Sequence, residues 1–121
     1  MEWTNDMYID AGGHKQPNTN LRYSSLIPVK DGKYNFIYEP KGTTFNTRIH
    51  GYDENGNWLM QIVSESAGTA TNIKALTFDC ENISCIRVST ANTNLSNAIN
   101  LYYNIDENIA DTKNKIVDIN Q

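Results

Sequence analysis

Short runs of strand-forming residues, each closed by a turn signal, most limit what this chain can fold into. Residues 22–29, 33–38, 44–52, 58–64, 72–78, 84–89 and 98–103 each read as a strand, with Pro, Gly, Asn and Asp clustered between them. Seven such runs in 121 residues predict an all-β protein, an antiparallel β-sandwich. Alternation supports this: Tyr34, Phe36 and Tyr38 fall on one face of their strand, and Asn35 and Ile37 on the other. The segment DENGN, residues 53–57, supplies small polar residues and a glycine for a tight turn, so the strands on either side are expected to pair antiparallel. Residues 1–20 contain Gly12, Gly13 and Pro17 and show no clear period. They read as an irregular N-terminal arm that Trp3, Tyr8 and Ile9 tuck against the sandwich or a neighbouring subunit.

A chain of this length can bury a core without disulfides or metal. Ten basic against fourteen acidic residues leave a net charge of −4, and so no basic field to attract a nucleic-acid backbone. No apolar run has the length of a membrane helix, and residues 1–10 lack the pattern of a signal peptide, so neither membrane insertion nor export is expected. Cys80 and Cys85 flank a four-residue segment. They read as two reduced, partly buried thiols, with a disulfide across a hairpin as the alternative.

The pattern changes at residue 105. Ile105, Ile109, Thr112, Ile116 and Ile119 step by four and three, the seam of a heptad helix over residues 105–121. Two heptads are marginal alone, so a coiled coil that continues in a longer protein is expected. Isoleucine at both seam positions shifts a coiled coil toward a trimer or tetramer. The alternative is a helix lying on its own sandwich.

No residue pattern specifies catalysis. No glycine elbow surrounds a serine, and His14 and His50 lack the spacing of a zinc site. Asp53, Asn55 and Asn57 place oxygen side chains at alternate positions, as at the start of a calcium loop. The chain then runs straight into Trp58 without the closing acid, so the stretch reads first as a turn. No cofactor is expected, with calcium the minority reading.

Three stretches carry a family resemblance: SSLIPVKDGKYNF at 24–36, RIHGYDENGNWL at 48–59 and ENISCIRVS at 81–89. Their order and spacing resemble the carbohydrate-binding-module-like, jelly-roll-like β-sandwich of phage and prophage tail, baseplate and fibre proteins of Gram-positive bacteria. The resemblance spans residues 21–103, giving an arm at 1–20, a sandwich at 21–104 and a stalk helix at 105–121. It implies a non-catalytic binding module in the virion tail or fibre. A bacterial surface or cell-wall glycan would be the target, and copies of the chain and other tail subunits the partners. The alternatives are a purely architectural tail domain, or an accessory module of a secreted or cell-surface adhesin or glycoside hydrolase.

A sugar site needs aromatic faces and hydrogen-bonding side chains together. Trp58, beside the 53–57 turn, is the first candidate, with core packing as its alternative. Arg48, His50 and Tyr52 share one strand face and form either a glycan-binding strip or a plain polar surface. Arg87 alternates away from Ile86 and Val88 and is expected in an ion pair or a ligand contact. One of Tyr102 and Tyr103 must face outward, and Tyr102 joins the candidate site.

Overall fold

The computed structural model describes residues 2–38, 46–65, 74–91 and 100–104. Its elements are strands β1 (Trp3–Ile9), β2 (Lys15–Ser24), β3 (Ile27–Pro28), β4 (Gly32–Tyr38), β5 (Thr47–Tyr52), β6 (Trp58–Glu65), β7 (Lys74–Cys80), β8 (Cys85–Ala91) and β9 (Asn100–Tyr103). Among the described residues they form two antiparallel sheets. One runs β1-β2-β8-β5-β6, with β3 also on β8, and the other runs β7-β4-β9.

The two sheets meet over one core, as period-two alternation requires. Ile49, Ile86 and Val88 come from the larger sheet, Tyr34, Phe36, Phe78 and Cys80 from the smaller, and Ile83 from the β7–β8 connection. Each fully buried aliphatic or aromatic side chain here is worth about 1.5–3 kcal/mol relative to exposure. Tyr103 packs edge-on to Tyr34 with ring centroids 5.2 Å apart. That packing turns Tyr102 outward, and it is 54% exposed.

The expected irregular arm is instead the β1–β2 hairpin, and the boundary expected at residue 21 falls inside β2. The period is hidden because the pairing slips: Asn5 faces Arg22 but Met7 faces Pro17, so Asp6 opposes four residues of β2. Asp6 takes a φ of 65°, a left-handed conformation that Asp tolerates better than most residues. Bulges bend a ribbon, and this one divides the hairpin. Its base is joined to β8 by the Leu21–Ala91, Arg22–Thr90 and Tyr23–Ser89 pairs. Its tip lies over the face of the larger sheet that points away from the main core. There Ile9 is completely buried with Tyr23 and Tyr52, and its N–H donates to Ser89 Oγ at 3.2 Å.

The two cysteines are free. Cys80 belongs to the inter-sheet core, whereas Cys85 packs against the Ile9 cluster on the opposite face of the larger sheet. The expected stalk helix, with Ile105, Ile109, Thr112, Ile116 and Ile119, lies outside the described residues, as do the first two residues of the strands expected at 44, 72 and 98.

Candidate functional site

Two hairpin tips built on one plan frame the candidate site. In the β5–β6 turn, Asp53 N–H donates to the Asn57 carbonyl at 2.9 Å and Gly56 N–H to the Asp53 carbonyl at 3.1 Å. Asp53 Oδ1 accepts from the N–H groups of Asn55 and Asn57 at 2.9 and 2.8 Å. In the β1–β2 turn, Asp10 N–H donates to the His14 carbonyl at 2.9 Å and Gly13 N–H to the Asp10 carbonyl at 3.0 Å. Asp10 Oδ1 accepts from Gly12 and His14 N–H, both at 2.9 Å. Gly56 and Gly13 occupy equivalent positions at φ of 82° and 84°, where a side chain is disfavoured.

These amide donors stabilise carboxylates. The His14 backbone bond, followed by the Gln16 side chain, holds Asp10 down to about 2. The Asn57 backbone and side-chain bonds likewise lower Asp53. Asp53 Oδ2 also accepts from Asn57 Nδ2 at 3.1 Å, so both of its oxygens, the first of the three in the calcium-like pattern, serve the turn. Among the described residues, no group of three His, Cys, Asp or Glu side chains stands close enough to hold a metal ion.

The Arg48, His50 and Tyr52 row does share one face, opposite Ile49. It is not the solvated strip that alternation allowed. His50 is 0% exposed and Tyr52 6%, because the β1–β2 tip covers them. Arg48 is half-buried, and its Nη1 donates to Gln61 Oε1 at 2.9 Å. Arg87 lies across the β5–β8 pairing from His50. No carboxylate among the described residues pairs with it. Its guanidinium stands 5.4 Å from the ring centres of both Tyr23 and Tyr52, and its Nη1 donates to the Ser24 carbonyl at 2.9 Å. Burial pushes the Tyr52 phenol up, against the opposing pull of Arg87. Tyr52 and Arg87 thus join the sheet to the β1–β2 hairpin, whereas Arg48 ties β5 to β6.

Trp58 differs from the rest. It remains 37% exposed at the start of β6, an edge strand, while its Nε1–H donates to His50 Nδ1 at 2.9 Å. Because Nδ1 accepts, the neutral His50 ring carries its proton on Nε2, and that atom is buried without a partner meeting hydrogen-bond geometry. Burial drives His50 from 6.5 to about 4, although the Ile9 backbone and the charge of Asp10 pull the other way. On the indole, the backbone of Gly13 packs so closely that a Cβ there would lie 2.6 Å from both Cγ and Cε2. Trp58 is therefore held through its edge by His50 and across its ring by Gly13, and more than a third of the residue stays open to solvent. Leu59 and Met60, its neighbours, are 44% and 48% exposed.

Tyr102 is not part of this cluster. It lies on β9 in the smaller sheet, in register with Asn35, whose Oδ1 accepts from Thr77 Oγ1 at 2.9 Å. The sequence reading missed Asp10 and Gly13, although DAGGH at 10–14 repeats the Asp and Gly spacing of DENGN.

No family model, no curated protein and no solved structure matches this chain.

Proposed function

We propose that this chain is a non-catalytic glycan-binding module in which Trp58 is the principal sugar contact. The observation that carries this reading is an indole held by two separate elements yet 37% exposed. A core tryptophan would be covered, and an idle surface tryptophan would not need two restraints. The apolar face of a pyranose ring suits such a surface. Restraint before binding also lowers the ordering cost that weak sugar sites otherwise meet. Polar groups for sugar hydroxyls are at hand in the two turns, at His14, Asn55 and Asn57.

The biological setting rests on the sequence resemblance. It is a jelly-roll-like sandwich of a phage or prophage tail or fibre protein, directed at a bacterial surface or cell-wall polysaccharide. Residues 105–121 would start a trimeric coiled coil, and three weak sites on one target gain avidity.

A specific observation favours a second reading. Trp58, Leu59 and Met60 form a continuous exposed apolar run on an edge strand, which a neighbouring tail subunit would also cover well. One experiment separates the two: binding of wild type, Trp58→Ala and Trp58→Phe to bacterial surface and cell-wall glycans displayed multivalently. Saturable wild-type binding that is lost in folded Trp58→Ala supports the glycan module. A folded, oligomeric wild type that binds no glycan transfers the assignment to subunit docking.

A further inference from the structure

We propose that His50 is the positioning residue of Trp58, and that protonation of His50 releases the indole and the β1–β2 tip together. For sugar binding, this consequence rests on Trp58 being the contact surface. The link among His50, Trp58 and the tip does not depend on it.

The hydrogen bond has one permissible direction. An indole nitrogen only donates, so His50 Nδ1 must present its lone pair. In imidazolium both ring nitrogens donate, which would set two N–H groups against each other across the present 2.9 Å separation. The bond cannot survive that change, and one of the two rings must move.

Burial opposes an imidazolium here, and of the groups around it only the Ile9 backbone and Asp10 favour one. Arg48 lies two residues away on β5, and Arg87 is directly opposite on β8. The β6 residue opposite is Gln61, which is neutral. The carboxylate whose charge favours the imidazolium is Asp10 of the tip, and its oxygens already accept from Gly12, His14 and Gln16, with the His14 ring 3.4 Å away. Two cations and one fully engaged carboxylate around a buried ring agree with a group that stays neutral until about pH 4.

The tip follows the indole because Gly13 packs on it. Beyond it, the tip is anchored by the Ile9 N–H bond to Ser89 Oγ and by Ile9 packed between Tyr23 and Tyr52, so the segment that follows the indole is the turn around Gly13. Loss of the His50 acceptor therefore loosens a surface composed of two elements, with the main core between the sheets untouched.

The test is the indole N–H resonance of Trp58 in a ¹H–¹⁵N spectrum, followed from pH 7 to 3 in wild type, His50→Gln and His50→Leu. Gln retains a carbonyl acceptor, and Leu removes it. In wild type the resonance is expected to be displaced from the free-indole position, to be protected from water exchange, and to move in one step near pH 4 while most amides stay in place. His50→Gln should keep much of the displacement and lose the step, whereas His50→Leu should lose both. Identical spectra for the two variants would sink the proposal. So would a wild-type step that appears only with global loss of amide dispersion, a readout that stands even where neither variant folds. In parallel, glycan binding should fall up to about tenfold in His50→Leu and recover in His50→Gln, the scale of one hydrogen bond. Trp58-dependent binding indifferent to His50 overturns the positioning role but leaves the glycan reading standing. The expected indole behaviour without glycan binding does the reverse.

Discussion

The backbone of Gly13 packs against the indole ring of Trp58, joining a turn near the N-terminus to the edge strand β6. The contact requires the absence of a side chain twice over, once for φ of 84° and once for the space the ring fills. Gly13→Ala is therefore expected to cost about 2 kcal/mol or more, the sum of left-handed strain and a displaced ring. Gly12→Ala meets the movable His14 ring at 3.1 Å and makes an ordinary 3.5 Å contact with Asp10 Oδ1, and should stay within about 0.5 kcal/mol of wild type. Urea unfolding of the two variants decides this, and equal midpoints would refute the Gly13 contact.

Gly51 makes the corresponding demand on the other face of β5. A Cβ there would run into Cδ1 of Ile83 and lie 3.2 Å from its Cγ2, inside the core. Gly51→Ala should cost about 1–3 kcal/mol through overpacking. Ile83→Val removes Cδ1, so adding it to Gly51→Ala should restore part of the loss. A double-mutant cycle measures the coupling, and strict additivity would show that the two residues do not compete for space.

Stability should depend on pH through His50 over a defined window. Its folded value of about 4 lies below 6.5, so the unfolded chain takes up the proton first as pH falls. Stability is lost between pH 6.5 and 4 and then levels off as far as His50 is concerned. The shift corresponds to at most about 3 kcal/mol, less whatever solvent screening acts at the rim. Asp10, held down to about 2 from 3.8, adds a further loss as pH drops through that lower range. Denaturant midpoints for wild type and His50→Gln between pH 7 and 3 should diverge across the upper window, and parallel curves would exclude a buried neutral His50.

The two thiols should react in sequence. Burial pushes Cys80 up to about 11, whereas Cys85 is only half-buried. A thiol reagent at pH 8 is expected to modify Cys85 in the native protein and Cys80 only on unfolding. Mass-mapped labelling checks the order, and early modification of Cys80 would contradict its place in the inter-sheet core.

Asp10 and Asp53 should behave as equivalents because they organise the same turn. Alanine at either position is expected to lower the thermal midpoint by removing the acceptor for two backbone N–H groups. Calcium addition or chelation should leave wild-type melting unchanged, since turn donors already occupy the Asp53 oxygens. A calcium-dependent rise abolished by Asp53→Ala would revive the metal reading.

Alternation alone grouped side chains by face: Tyr34 with Phe36 on β4, Arg48 with His50 and Tyr52 on β5, and Arg87 opposite Ile86 and Val88 on β8. The 53–57 hairpin was legible too, because Asp and Gly at that spacing satisfy a turn locally. The identical 10–14 turn was obscured by the slip at Asp6, which breaks the strand period between the tip and base of its hairpin. Local pattern reports the face on which a side chain stands, since backbone geometry sets that within a few residues. It does not report what covers the face. Only tertiary structure folded the β1–β2 tip over His50 and Tyr52, left Trp58 at its margin and separated Tyr102 into the other sheet. Those outcomes depend on contacts such as Ile9 with Tyr52 and Gly13 with Trp58, between residues more than forty positions apart in the chain.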